Sequence, residues 1–226
     1  MTKAVFFDVD FTLIYPGPMF GGEGYRRFGA RHGLRLDPSR LGRAVTHASA
    51  LLDQAQEGIY DPALFVAYAR HVLEQMGGRG PSLDACAREI YEEWAACQHF
   101  LLYEDVAPVL REIHALGVRV GLISNTHRCL SAFQSHFELD GLIAAAVSSS
   151  EHGYMKPHPS IFEAALRLVG VEAGDALMVG DSVKQDIDGA RQVGMRAVLL
   201  ARAGTPAEPL NGVPVIRSLT ELPAQL

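Results

Sequence analysis

The sequence predicts an α/β protein: a doubly wound parallel sheet carrying an inserted α-helical module. Three observations lead there. Short apolar runs at 3–7, 118–123, 144–148, 176–179 and 197–200 alternate, from the second onward, with segments of helical periodicity, and parallel strands need such crossovers to lie side by side. Between the first run and the second, residues 23–98 read as successive helices with no convincing strand. Finally, the first run stops abruptly at Asp8 and Asp10, and the carboxyl ends of strands are where open parallel sheets bind ligands.

Each element has its own signal. After Leu13, the residues Pro16, Gly17, Pro18, Gly21, Gly22 and Gly24 crowd together and predict a linker in which neither helix nor strand runs undisturbed. Leu41, Val45, Ala48, Leu52 and Ala55 then recur at helical spacing. Asp61-Pro62 starts a further helix as side-chain cap and first-turn proline, with Leu64, Phe65, Tyr68, Val72, Leu73 and Met76 as its stripe and Gly77-Gly78 as its end. Ser82 is placed to cap another, which turns Leu83, Cys86, Ile90, Tyr91 and Trp94 inward. The layout is therefore a core built from 1–14 and 100–226, interrupted by a helical bundle at 15–99. Within the core, an amphipathic helix from about 105 ends at Gly117, helices follow at about 159–169 and 186–193, and a weaker strand closes the chain at 213–216.

Composition narrows the function. The 226 residues are 48% hydrophobic, enough for a packed core, and carry a net charge of -6 without any run of Lys and Arg. A nucleic-acid footprint is thereby excluded, and a small partner is expected. No apolar run approaches the ~18 residues of a membrane span. Asp8 and Asp10 interrupt the N-terminal run too early for a signal peptide, so the expected location is cytoplasmic. Cys86, Cys97 and Cys129 are odd in number and lack Cys-x-x-Cys spacing, which suits free buried thiols in a reducing compartment. Oligomeric state is left open.

The polar residues at the strand ends and loops share one chemistry. Asp8, Asp10 and Thr12 follow the first run, Ser124 and Asn125 the second, Lys156 precedes Pro157, and Asp181, Ser182 and Asp186 follow 176–179. These are the pieces of a phosphoryl-transfer site: Ser124 and Asn125 offer a hydroxyl and N–H groups to phosphate oxygens, and Lys156 adds positive charge. The acids need something more. Two like charges about 4 Å apart repel by about 4 kcal/mol at an effective dielectric of ~20, so several converging carboxylates imply a cation. An all-oxygen site of this kind suits Mg²⁺, which also shields an anionic nucleophile from an anionic substrate.

In these residues the chain resembles the haloacid dehalogenase-like (HAD) hydrolase superfamily over nearly its whole length. Phe7-Asp8-Val9-Asp10-Phe11-Thr12-Leu13 matches the first motif of that family, Leu122-Ile123-Ser124-Asn125 the second, Lys156-Pro157 the third, and Val179-Gly180-Asp181-Ser182-Val183-Lys184-Gln185-Asp186 the fourth. The resemblance implies a Rossmannoid core and makes the helical insertion a C1-type cap. It implies that Asp8 is a nucleophile forming an aspartyl phosphate and that Asp10 is the general acid and base. It further assigns Mg²⁺ to Asp8, the backbone carbonyl of Asp10, Asp181 and Asp186, and phosphate to Ser124, Asn125 and Lys156, with Thr12 supporting the first loop. Two positions depart from the family pattern: Phe11 stands where glycine is common, and His158 follows Lys156-Pro157 where aspartate is common.

The reading expected is a Mg²⁺-dependent phosphatase of a small phosphorylated metabolite. A 2-haloacid dehalogenase is the enzymatic alternative, against which Asp10 speaks. A phosphate-binding or signalling protein without turnover is the alternative of another class. Singly, each motif residue reads as well as a turn, a cap or a solvated charge; together and in order they read as a site. His127 and His152 are expected at the surface or behind the site, and Phe65, Tyr91 and Trp94 in the core of the bundle. Phe20 and Tyr25, beside the glycine-rich linker, are candidates to reach a cleft.

Overall fold

The structure is a computed structural model describing residues 1–52, 58–202 and 212–226. Ala55, placed above on a helical stripe, lies outside them. The described residues divide into two compact units, one of Met1–Tyr15 with Leu102–Leu226 and the other of Pro16–Leu101. In chain order the strands are β1 (Ala4–Phe7), β2 (Ile14–Pro16), β3 (Phe100–Leu102), β4 (Arg119–Ser124), β5 (Ile143–Ser148), β6 (Ala176–Gly180), β7 (Arg196–Leu200) and β8 (Val215–Ile216). The helices are α1 (Gly22–Arg31), α2 (Leu41–Leu52), α3 (Pro62–Gln75), α4 (Leu83–Glu93), α5 (Val106–Ala115), α6 (Leu130–His136), α7 (Ser149–His152), α8 (Pro159–Val169) and α9 (Gly189–Gln192).

The first unit is organised by a six-stranded sheet in the order β5-β4-β1-β6-β7-β8, every neighbour parallel. From β1 the chain builds outward through β4 and β5, then crosses back to β6 on the other side of β1. That reversal is a topological switch point, the place where strand ends on the two sides open a crevice. Register sharpens it: Phe7 lies opposite both Leu122 and Val179, so β1, β4 and β6 deliver their next residues at one level.

All residues of β1 and β6 are buried, as expected of parallel strands covered on both faces. Ala4 and Phe6 share one face with Ile123, Ala176, Met178, Ala197 and Leu199, and against them lie Ile161, Phe162, Ala165, Leu166 and Val169 of α8 and Ala190 of α9. The start of α8 is written locally. Pro159 occupies its first turn, the His158 ring accepts the Ser160 N–H at 3.3 Å, and Gly170 ends it in the left-handed region at φ +70°. Likewise Gly117 ends α5 at φ +75°. Among the described residues no helix is long and apolar enough to cross a membrane.

Two expectations for this unit need correction. The helix expected over 186–193 is instead a π-helical turn at Val183–Asp188 followed by the short α9. Its wider winding comes from the Ser182 carbonyl, which accepts N–H groups from both Asp186 (3.0 Å) and Ile187 (3.3 Å). Cys129 is exposed, whereas Cys86 and Cys97 are buried; all three are free. Cys129 stands at the start of α6 without a side-chain cap, its Sγ 3.1 Å from the Ser131 hydroxyl, so its position is set by the helix end and not by packing.

The second unit is helical, with α1 to α4 and short 3-10 turns. Its glycine-rich entry is no linker. It holds a 3-10 turn at Pro18–Phe20 and then α1, because the glycines make room: a β-carbon on Gly24 would fall 1.9 Å from the Met19 carbonyl oxygen, and one on Gly22 2.4 Å from that of Pro38. Asp61 caps α3 as expected, its carboxylate accepting the Ala63 N–H at 2.9 Å. Ser82 stands at the start of α4 without a side-chain cap, since its hydroxyl donates to the His32 carbonyl at 2.7 Å. Phe20 and Tyr25 are buried in this unit's interior, Phe20 packing on the rings of Phe28, Trp94, His99 and Phe100.

Candidate active site

The ends of β1 and β6 bring three of the four aspartates of the sequence motifs together. One carboxylate oxygen from each of Asp8, Asp181 and Asp186 lies within 4.8 Å of the others. Asp8 follows β1 directly, and its backbone N–H donates to the Val179 carbonyl at 2.9 Å, extending the ladder one residue past the strand. Asp181 follows β6. Asp186 is carried back to the same point by the π-helical turn, where its Oδ2 accepts the Ser182 N–H at 3.0 Å. The approach is close enough that a β-carbon on Gly180 would sit 2.2 Å from the Asp186 carboxyl.

Lys156 closes the cluster. Its Nζ donates to Asp8 Oδ1 at 2.5 Å and to Asp186 Oδ1 at 2.7 Å, with the side chain almost wholly buried. Asn125 sets its backbone: Oδ1 accepts the Lys156 N–H at 2.7 Å, while Nδ2 donates to the Lys156 carbonyl at 3.0 Å and to Gln185 Oε1 at 3.2 Å. The Asn125 side chain thus clamps Lys156. Beside it the hydroxyl of Ser124, at the end of β4, is buried without a hydrogen-bond partner among the described residues, as is that of Thr12.

The electrostatics follow from this crowding. Burial, then the charges of Asp186 and Asp181, push Asp8 well above the usual carboxylate range, against the pull of Lys156. Lost hydration and the Asp186 charge raise Asp181 to about 7, although part of that residue faces solvent. Burial alone would lower Lys156, yet Asp186 and Asp8 outweigh it and hold the ammonium above its ordinary value. Three carboxylates against one ammonium leave negative charge unbalanced, and a divalent cation held by oxygens would supply the balance. The donor set therefore fits Mg²⁺.

Asp10 lies apart from this cluster, two residues further along a loop that closes on itself. Leu13 and Ile14 donate to the Val9 carbonyl at 2.8 and 3.1 Å, and Phe11 donates to the Ile14 carbonyl at 2.7 Å. Phe11 takes φ +62° at the turn. The left-handed angle for which glycine is favoured is thus kept by a bulky residue, at a cost of roughly 1–2 kcal/mol, and the residue is 52% exposed. The Asp10 carboxylate meets Arg128, whose Nη1 and Nη2 reach Oδ2 and Oδ1 at 3.1 Å each. At the far end of the loop, Arg202 donates to the Thr12 carbonyl from Nε (3.2 Å) and Nη2 (2.9 Å), pairs with Asp105 at 2.8 Å, and stacks 3.8 Å from the Tyr103 ring centre.

The chain as a whole is similar to known proteins. A family model described as haloacid dehalogenase-like hydrolase matches residues 2–194. The chain belongs to the haloacid dehalogenase-like hydrolases. It is 30% identical to the Haloacid dehalogenase-like hydrolase domain-containing protein 3 of Danio rerio, across 91% of this chain and 88% of that one. It is 31% identical to the N-acylneuraminate-9-phosphatase of Homo sapiens, across 99% and 93%. Among solved structures, the 2-haloacid dehalogenase of Pseudomonas syringae is 30% identical, covers 99% of this chain and 97% of its own, and superposes with a TM-score of 0.66.

As a haloacid dehalogenase-like hydrolase, the chain is an enzyme whose expected site residues sort by geometry. Asp8, Lys156, Asp181 and Asp186 form one cluster; Asn125 holds Lys156, and Ser124 ends the strand beside Asn125. Asp10 stands outside that cluster on the first loop, paired with Arg128, and Thr12, two residues on, is fully buried. Arg128, Arg202 and Gln185 were not singled out by sequence. The signal available for Arg128 was its place three residues after Asn125; Arg202, beyond β7, offered none.

Proposed function

We propose that this haloacid dehalogenase-like hydrolase is a Mg²⁺-dependent phosphatase of small phosphorylated metabolites. The observation that carries the reading is the buried Asp8–Lys156–Asp186 array with Asp181 beside it, joined by a second carboxylate, Asp10, on the same loop. Asp8 attacks the phosphorus atom of a phosphomonoester, the ester P–O bond breaks, and Asp10 gives its proton to the departing alkoxide. Asp10 then takes a proton from water, whose oxygen attacks the aspartyl phosphate and releases inorganic phosphate and the Asp8 carboxylate. Asp8, Asp181 and the Asp10 carbonyl would hold Mg²⁺, which would supply charge neutralisation between nucleophile and phosphate. Asp186, both of whose oxygens already accept protein hydrogen bonds, would ligate the ion through water.

Lys156 balances Asp8 before substrate arrives and meets phosphate oxygens afterwards, with the Ser124 hydroxyl and the N–H groups around Asn125 as further donors. The Pro16–Leu101 unit serves as a helical cap that selects the substrate. Support also comes from relatives whose names are those of phosphatases, acting on an N-acylneuraminate 9-phosphate in Homo sapiens and on glyceraldehyde 3-phosphate in Methanopyrus kandleri. Phosphate release from a panel of phosphomonoesters, with Mg²⁺ and with EDTA, tests the reading. Wild type is expected to turn over only with Mg²⁺, and Asp8→Asn to lose about 10⁴-fold or more; equal rates in the two overturn the mechanism.

One finding favours a second reading, the likeness to the 2-haloacid dehalogenase of Pseudomonas syringae. In that chemistry Asp8 attacks carbon and no proton donor is needed, which leaves Asp10 without a task. Halide release from a 2-haloacid in EDTA would establish it.

A further inference from the structure

We propose that Arg128 is a positioning residue of the reaction: its guanidinium fixes the plane and direction of the Asp10 carboxyl for proton exchange with the leaving group and with water. This rests on the assignment of Asp10 as acid and base.

Asp10 needs such a device. It sits on a loop, its side chain is 30% exposed, and the next residue holds a strained left-handed angle; left alone, its carboxyl is free to rotate. Arg128 is the reverse, with a side chain only 1% exposed. Two parallel bonds of 3.1 Å, one to each carboxylate oxygen, fix orientation as well as position, which a single bond or a lysine ammonium does not. The guanidinium also keeps its own protons in any accessible pH range. It therefore orients Asp10 without competing for the proton being moved. Each carboxylate oxygen has two acceptor positions, and the fork takes one on each, so a position remains for the transferred proton.

The placement of Arg128 ties this role to the rest of the site. Its N–H donates to the Thr126 hydroxyl at 3.1 Å, in the turn that leaves β4 just after Asn125. The same turn thus clamps Lys156 through Asn125 and orients Asp10 through Arg128. One short segment serves both the nucleophile's counter-charge and the proton carrier.

The test uses leaving groups that differ in their need for a proton. An alkoxide must be protonated as it departs, whereas 2,4-dinitrophenolate leaves as an anion. The variants are Arg128→Met, Arg128→Lys and Asp10→Asn, all with Mg²⁺. Two quantities are measured: kcat and KM on an alkyl phosphomonoester the wild type turns over, and the first-turnover burst of dinitrophenolate from 2,4-dinitrophenyl phosphate. Arg128→Met is expected to lower kcat on the alkyl ester by about 10²-fold, the effect of misplacing a proton donor by roughly 1 Å, with KM and the burst rate changed by less than about 5-fold. Arg128→Lys, which keeps the buried charge and loses the fork, is expected to show the same selectivity with a smaller loss.

Equal losses on the two substrates in both Arg128 variants overturn the proposal, because a residue that only supports the fold lowers every rate alike. If Arg128→Met does not fold, the selectivity of Arg128→Lys decides. Asp10→Asn separates the two levels: if it shows no preference between leaving groups, the acid and base assignment itself fails. If Asp10→Asn shows the preference and the Arg128 variants do not, only the positioning role fails.

Discussion

Asp8 and Asp10 leave one strand a residue apart, and each ends against a buried cation, yet the two pairs are built in opposite ways. Asp8 meets a lysine that it shares with Asp186, and all three side chains are largely buried. Asp10 meets an arginine that grips both of its oxygens, while the carboxyl keeps partial access to solvent. A nucleophile needs compensating charge that can redistribute toward substrate, and a compact ammonium on a flexible stem provides it. A proton carrier needs a fixed direction and a neighbour that does not titrate. The planar fork provides that instead.

The difference can be broken by removing each cation in turn. Lys156→Met strands Asp8 and Asp186 in a buried site, and is expected to cost about 3–5 kcal/mol by urea unfolding in EDTA, with part recovered when Mg²⁺ is added. Arg128→Met should cost less by the same measurement, since Asp10 can rehydrate. Equal losses would mean that the two pairs do not differ in the way described.

A smaller effect concerns the far end of the loop, where Arg202 joins the Thr12 carbonyl to Asp105. Burial raises Asp105, but its bonds to Arg202, the Leu219 N–H and the Ser218 hydroxyl outweigh that and hold it below the usual range. A depressed folded value means stabilisation that is full above the unfolded value, near 4, and lost as the pH falls through the folded one. Wild type should therefore lose more stability than Arg202→Met as the pH falls below about 5, and near pH 7 exceed it by about 2 kcal/mol. Parallel pH profiles would show that this clamp contributes nothing through Asp105. The smallest expected effect is at Phe11. Phe11→Gly relieves roughly 1–2 kcal/mol of left-handed strain but adds unfolded-state freedom, for a net gain of about 0.5–1 kcal/mol. A loss of stability in thermal melts would mean that the ring contributes packing which offsets the strain.

How much was legible before the fold was known depends on what kind of signal each residue sends. The strands of the sheet read well because strands buried on both faces are continuous apolar runs, and the site aspartates read well because they interrupt those runs at their ends. The glycines at 21–24 misled for a physical reason: glycine also serves where backbones approach closely, and Gly24 against Met19 is such a place, inside α1. Asn125 was legible as a site residue, but its work, holding the Lys156 peptide 31 residues away, was not.

The order and spacing of residues along the chain determined the fold class, the strand ends that carry acid, and the family to which the enzyme belongs, because hydrophobic periodicity and short motifs are local. Only the tertiary structure decided that Phe11 keeps a glycine-like angle, that the Asp186 carboxyl is turned back to the Ser182 N–H, and that Arg128 lies buried against Asp10 across 118 residues of sequence. An arginine in a loop reads as a solvated charge until the carboxylate that accompanies it into the interior is known. Burial of a charge is a property of the pair, and no single position in a sequence carries it.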